Sequence, residues 1–312
     1  MESDADDSVR PADSTSSSTH TANAAVRGIL LMVAGSAVLT LSDATTKWLT
    51  AGYPVGEIMS IRAFFTLIPI LIFAWHAGGL HTLKITNIRM QSIRAACAVG
   101  SSFLFVAGLV HLPLADCIAI AFSGPLFVTA LATPMLGEQV GWRRWSAVIV
   151  GFIGILIMLR PTGGAFQWYA ILPLSAAACG AFRDIITRKV RMSASPVAVL
   201  AFMMAAVAVC GLFTLPFGWS TVSGQDTLLL ILAGILVGTA QYLVIHAFYV
   251  AEASLIIPFK YLSLIWATLF GYVLWGDVPD SGIMLGAALV VGSGLYIMHR
   301  EAKLARRGNT SG

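Results

Sequence analysis

The sequence predicts an all-α membrane protein in which ten transmembrane helices form two inverted five-helix repeats around a central cavity. Three observations predict it. Ten apolar stretches, each near the ~20 residues that cross a bilayer core, take up most of the chain. Lysine and arginine gather in alternate loops. Short motifs of the first half return in the second with the loop charges reversed. Composition agrees: of 312 residues, 57% are apolar and only 11% charged, against roughly 25% charged in globular domains, so lipid is the solvent for most of the chain. The net charge of +4 belongs to short basic loops that face anionic headgroups and is not the footprint of a nucleic-acid partner.

The elements follow in order. The tail 1–24, rich in Ser, Thr and Asp, has too little apolar surface to order itself, and its acidic start does not fit a cleavable signal peptide. Span 1, 27–46, runs into LSDATTK, with Asp43 and Lys47 near its outer end. Span 2, 57–75, opens on Glu57 and Arg62 and holds Pro69. Lys84, Arg89 and Arg94 lead into span 3, 93–111. Span 4, 115–136, starts at Asp116 and contains Pro125, the expected bend, because proline removes a backbone donor. Span 5, 145–159, follows Arg143 and Arg144 and places Ala147 and Gly151 at small-xxx-small spacing, which allows close helix contact. Span 6, 168–187, ends in Arg183 and Asp184, with Arg188 beyond, and span 7 covers 196–216. Span 8, 227–250, carries Gly234, Gly238 and a helical face of Tyr242, His246 and Tyr249. Span 9, 253–275, contains Pro258, Lys260, Tyr261 and Trp266. Span 10, 282–298, returns to small spacing at Gly282, Gly286, Ala288 and Gly292, and a basic tail, 301–312, closes the chain. The four cysteines fall in or beside different spans with no CxxC spacing, so neither a disulfide framework nor a metal site is expected.

With both termini cytoplasmic, the inner segments hold Arg10, Arg27, Lys84, Arg89, Arg94, Arg143, Arg144, Arg188, Lys189, Arg191, Arg300, Lys303, Arg306 and Arg307, and the outer loops only Lys47 and Arg160. LSDATTK (41–47) recurs as FRDIITR (182–188), LAD (114–116) as VAE (250–252), LGE (136–138) as WGD (275–277), and GILIMLR (154–160) as GLYIMHR (294–300). Five spans per copy force the second copy, 165–300, into the membrane upside down relative to the first, 27–161. Inverted repeats of this kind are frequent in secondary transporters, whose substrate site lies near the midplane between the halves.

LPLAD (112–116), Pro125-Leu126-Phe127, GEQVGWRRW (137–145), VGFIGILIMLRP (150–161) and IIPFKYLSLIWATLFGYVLWGD (256–277) carry a resemblance to the drug/metabolite transporter superfamily, in its ten-helix EamA-type family, over about residues 27–300. The resemblance implies spans 1–4 and 6–9 around the cavity with spans 5 and 10 at the periphery, and a bacterial inner-membrane location. Members so similar to one another move amino acids, vitamins such as riboflavin, nucleotide-related metabolites, sugars or toxic cations.

An ionisable side chain at bilayer depth costs roughly 2.5–3.5 kcal/mol on insertion scales, so such residues face the interior of the bundle and find partners there. Two clusters result: Asp43, Lys47, Glu57, Arg62 and Asp116 near the outer ends, and Arg183, Asp184, Arg188, Glu252 and Lys260 near the inner ends. Asp43 with Lys47 and Asp184 with Arg188 are spaced i, i+4, which suits two ion-paired gates, one closed while the other opens. Snorkelling to the headgroups is the plainer account for Lys47 and Arg188. Arg62 and Lys260 break the repeat: Arg62 suits a pair with Glu57 or Asp116, and Lys260, just past Pro258, suits either an anionic ligand or a pair with Glu252 or Asp184. Tyr242, His246, Tyr249, Tyr261 and Trp266 are expected to line the cavity, helix packing being the alternative.

No GxxxxGK loop, HExxH or GxSxG is present, which leaves no motif for direct ATP use, a metalloenzyme or a serine nucleophile. The expectation is a non-enzymatic secondary carrier of a small organic metabolite working by alternating access, without a cofactor. The alternatives are an exporter of toxic organic cations or drugs, and a non-transporting scaffold or receptor. Proton coupling through Asp43, Asp184 or Glu252 and pure exchange fit the pattern equally, as do a monomer and a homodimer through spans 5 and 10.

Overall fold

The computed structural model describes residues 14–76, 79, 83–85, 87–137, 141–159, 168–190 and 195–309, and their side chains apart from 14–23, 188–190, 253–254, 301–302 and 304–309. Arg10, Arg160, Arg191 and the last residues of the chain lie outside it. Twelve α-helices make up almost all of the described chain: α1 (Ser14–Leu49), α2 (Val55–His76), α3 (Ile88–His111), α4 (Leu114–Ala121), α5 (Gly124–Leu136), α6 (Trp142–Leu159), α7 (Ile171–Val190), α8 (Pro196–Leu212), α9 (Gly224–Val250), α10 (Ala253–Lys260), α11 (Leu262–Trp275) and α12 (Ser281–Asn309). Short 3₁₀ turns at Trp168–Ala170 and Leu215–Phe217 extend α7 and α8.

Ten segments are long and apolar enough to cross a membrane, and their order and positions match the ten stretches read from the sequence. Two of them are broken helices, α4 with α5 and α10 with α11. Helix α1 starts at Ser14, well inside the expected tail, and α12 runs on to Asn309 through the expected basic tail. A formed span lengthens by one hydrogen bond per added residue without a new nucleus, so flanking Ser, Thr, Ala and Lys are drawn into helix. The even number of spans brings the start of α1 and the end of α12 to one face, the terminal face; the other is the distal face.

Helix ends are set locally. Asn87 and Ser195 accept the Met90 and Ala198 amides at 3.2 and 3.1 Å, satisfying first-turn donors, with Pro196 in the first turn of α8. Gly137 and Gly276 close α5 and α11 in left-handed conformation, φ 70 and 72°, where a side chain would be strained. Span hydroxyls turn back on their own helices: Thr40 to Ser36, Thr46 to Ser42, Thr66 to Arg62 and Thr129 to Pro125, all onto carbonyls at 2.8–2.9 Å. These hydroxyls therefore ask nothing of the lipid.

The bundle is built from pairs that join early and late spans. Helix α1 packs on α9, α2 on α8 and α9, α3 on α7 and α8, α6 on α12, and α4/α5 on α7, while α10 and α11 pack on α1. This set of pairings is unchanged when the first five spans are exchanged for the last five. Four cross-helix hydrogen bonds tie the two halves: Ser42 to the Ala233 carbonyl, Ser60 to Ala208, Thr66 to Gly234 and Ser101 to Ala176, at 2.8–3.0 Å. Small residues bring the backbones together, as at the α6–α12 crossing, where a Cβ on Gly154 would meet the Gly286 carbonyl at 2.7 Å. Gly151, Gly234 and Gly286 of spans 5, 8 and 10 are thus spent on packing inside the chain, against Leu126, the Arg62 carbonyl and Met158, whereas Ala288 and Gly292 of span 10 stay exposed. Leu30, Phe64, Ile72, Ile149, Leu156 and Leu228 face outward as lipid-exposed surface.

Gly154→Val is expected to lower the melting midpoint of the detergent-purified protein by several degrees, since overpacking costs about 1–3 kcal/mol. Gly141→Ala, where a Cβ meets nothing within 4 Å, leaves it unchanged. Paired thermal-unfolding curves check both.

Candidate functional site

A cavity of about 520 Å³ lies between the halves. Spans 1–4 and 6–9 line it, as expected, and span 10 joins them through Ile297 and Met298. Its walls are apolar and aromatic, with Phe105, Phe122 and Tyr261 among them, interrupted by a few polar groups: Thr66, Ser101, Ser102, Thr129 and Gln241.

The two broken spans meet at this cavity. Between α4 and α5 the amide of Ser123 donates to the Ile120 carbonyl at 3.0 Å, a tightened turn, and Pro125 follows in the first turn of α5. Between α10 and α11 the Tyr261 amide donates to the Pro258 carbonyl at 3.2 Å in the same way. Proline cannot donate to the helix ladder, so both breaks sit near one. The bends expected at Pro125 and Pro258 are therefore breaks a few residues away, and they place Phe122, Gly124, Lys260 and Tyr261 on the cavity wall. The Phe122 and Tyr261 rings lie 4.6 Å apart.

Five charged residues line the cavity: Asp43, Arg62, Arg183, Asp184 and Lys260. The ion pairs differ from the i, i+4 expectation. Asp43 pairs with Arg62 across helices at 3.8 Å, and the same guanidinium donates to Thr46 Oγ1 at 2.8 Å, so neither Glu57 nor Asp116 holds Arg62. Lys47 points away from Asp43; its ammonium donates to the Leu109 and Leu112 carbonyls at the end of α3 and sits 5.4 Å from the Trp275 ring centre. Exposed carbonyls at a helix C-terminus attract a cation, and that attraction outweighs the intrahelical pair. Asp184 pairs with its neighbour Arg183 at 2.9 Å; the Arg188 side chain lies outside the described residues.

The other expected residues divide. Asp116 is buried in the first turn of α4, outside the cavity wall, whereas Glu252 is exposed as the N-cap of α10. The LAD and VAE segments therefore occupy different helical positions, since a motif match fixes no register at a helix start. Tyr242, His246 and Tyr249 do not reach the central cavity. They line a separate lateral pocket of about 300 Å³ with Phe73 and His76, and Tyr242 stacks on Phe73 at 3.7 Å. Span 8 presents Val237 and Gln241 to the cavity instead, a rotation that the aromatic spacing alone could not fix. Trp266 stacks on Phe270 away from the cavity. Ser101, Ser102 and Thr129 escaped sequence reasoning, although hydroxyls in the middle of apolar spans were a usable signal.

The two ends of the cavity differ. At the distal end Asp43 and Arg62 are 16 and 12% exposed, and beyond them polar contacts fasten the loops of opposite halves. Tyr53 donates to Asp226 Oδ2 at 2.7 Å, as does Ser223, and the buried Glu57 carboxylate accepts the Ser220 amide at 3.0 Å. At the terminal end Arg183 and Asp184 are 30 and 51% exposed. No group of three or more metal-ligating side chains occurs among the described residues.

Breaking the Asp43–Arg62 pair strands a charge. Asp43→Asn and Arg62→Gln are each expected to destabilise by on the order of 2 kcal/mol. The double variant should lose less than the sum, with a coupling on the order of 1 kcal/mol in a double-mutant cycle of thermal unfolding. Additivity would mean that the pair is a mere neighbourhood.

Comparisons with known proteins agree with this architecture. Residues 26–160 match the model of the EamA-like transporter family. The chain is 29% identical to a riboflavin transporter of Rhizobium johnstonii, over 91% of this chain and 94% of that protein. It is 28% identical to an S-adenosylmethionine uptake transporter of Rickettsia felis, over 91% and 95%, and 24% identical to a pseudopaline exporter of Pseudomonas aeruginosa, over 85% and 93%. A solved protein structure shares the fold with a TM-score of 0.59 and 19% identity, covering 89% of this chain and 98% of that one. Ten apolar helices, transporter relatives aligned across both halves and an EamA-like transporter family match over residues 26–160 together mark the chain as a multi-pass membrane protein that carries an EamA-like domain in its first half.

Proposed function

We propose that this chain is a secondary transporter that carries one small organic metabolite at a time across the bacterial inner membrane by alternating access. The observation that supports it most is the central cavity, with its charged groups half exposed at the terminal end and sealed at the distal end. At about 520 Å³ it matches ordinary small-molecule sites, which span about 300–1,000 Å³. The halves 27–161 and 165–300 are the two moving bodies, related as inverted repeats, and the exchange symmetry of their packing supports that relation. Both termini face the cytoplasm, in keeping with the basic loops on the terminal face. The captured state is then open to the cytoplasm, and the outward-open state requires release of the Tyr53–Asp226 and Glu57–Ser220 contacts. Asp43 and Asp184 are the carboxylates placed to feel a substrate or a coupled proton; Glu252 lies off the cavity wall.

Untargeted metabolite profiling of cells and medium tests transport. A compound whose distribution shifts with the intact chain but not with Arg62→Gln is the expected outcome, and no shift in any compound would sink the reading. Access is tested with a cysteine at Ser102 in a chain whose four native cysteines are replaced. A membrane-impermeant maleimide should modify it from the terminal face, and Tyr53→Phe with Glu57→Leu, which removes the acceptor, should raise modification from the distal face several-fold. Labelling from the distal face that ignores both substitutions argues against the assigned gate.

A further inference from the structure

The cations of the central cavity are not equivalent. Arg62 has Asp43, and Arg183 has Asp184. Lys260 lines the same cavity and forms no hydrogen bond or ion pair through its ammonium with any described residue. Its residue surface is exposed although it sits at bilayer depth, because it faces the cavity lumen. Arg183 and Asp184 are its charged neighbours, and Asp184 Oδ1 is already engaged by two nitrogens of Arg183. With two acids and three bases on its wall, the cavity lining has one base more than it has acids, and Lys260 is the base without an acid of its own.

The chain holds that charge in place. Lys260 is the last residue of α10, two positions after Pro258, and the helix breaks immediately behind it at Tyr261. A lysine on a lipid-facing turn could run its stem to the headgroups, but this one opens into the lumen beside an aromatic wall. Tyr261 follows it in sequence, Phe122 stands against Tyr261 at 4.6 Å, and Phe105 lines the wall on span 3. A cationic ligand would meet repulsion from Lys260 and would find both carboxylates already paired. An anion would complete the charge balance of the cavity, and a ring would cover the part-exposed Phe105 and Phe122, with the almost fully buried Tyr261 backing Phe122.

We infer that the substrate of this transporter is an organic anion bearing a ring, its carboxylate or phosphate held by Lys260 and its ring placed against Phe105, Phe122 and Tyr261. The inference rests on the transport reading only for the word substrate; the binding site stands on the cavity itself. It selects against toxic organic cations as cargo.

The test is thermal stabilisation of the purified full-length chain by matched ligands. Three pairs are used: nicotinate with nicotinamide, indole-3-acetate with tryptamine, and flavin mononucleotide with riboflavin. Short-chain phosphatidylglycerol serves as the lipid-headgroup control. The expected result is stabilisation by the anionic member of at least one pair and not by its neutral or cationic mate. In Lys260→Gln the apparent affinity for that anion falls about 10- to 100-fold, the worth of a charged hydrogen bond, and Lys260→Arg retains most of it. Equal or stronger stabilisation by the neutral or cationic members, undiminished anion binding in Lys260→Gln, stabilisation by phosphatidylglycerol alone, or no response to any of the six overturns the proposal. The charge preference of the wild-type chain decides the matter even where Lys260→Gln fails to fold. Uptake of the stabilising anion into proteoliposomes separates the two readings: binding without uptake sinks transport and leaves the anion site, whereas uptake of a cation does the reverse.

Discussion

Every polar group that enters the hydrocarbon must find its partner inside the protein, and the rest of this architecture follows from that constraint. It makes the spans helical, turns Thr40, Thr46 and Thr66 back on their own carbonyls, and sends Ser42, Ser60 and Ser101 across to neighbouring helices. It also concentrates charge. Asp43 and Arg62 are tolerated because each is the other's partner, and the loops of the distal face are joined by a carboxylate on an amide and a phenol on a carboxylate. The cavity is one place where this accounting is left incomplete, and there a ligand can complete it.

The broken spans serve the same end. A continuous helix offers a cavity only side chains on one face, whereas a break turns the chain and brings consecutive residues to the wall. Lys260 with Tyr261, and Phe122 with Gly124, are placed this way. Both breaks occur beside a proline and both segments end in a left-handed glycine, so the two elements that shape the centre of the molecule are built by one local recipe used twice.

Much of this was legible in the sequence because bilayer thickness and side-chain hydropathy act on long windows. Ten spans and their order emerged from counting, and so did part of the cavity wall. Asp43, Arg62, Asp184, Lys260 and Tyr261 do line the cavity. Partner choice was not legible. The i, i+4 spacing of Asp43 and Lys47 is a property of one helix, but Arg62 reaches Asp43 from another, and the carbonyls at the end of α3 claim Lys47. Helix rotation was equally hidden: Tyr242, His246 and Tyr249 share a face, and that face turned toward spans 2 and 7. Pairings and rotations are set by which helices meet, and a single chain read alone carries no record of that.

Within the spans, the hydroxyls of Ser42, Ser60, Thr66 and Ser101 that join the halves donate to the carbonyls of Ala233, Ala208, Gly234 and Ala176, not to side chains. A carbonyl is present at every position whatever the residue, so the acceptor survives any mutation that keeps the site small. The side chains of the cavity wall can therefore change without removing the acceptors of the seam. A seam of this kind depends on how closely two backbones approach and not on which residue accepts.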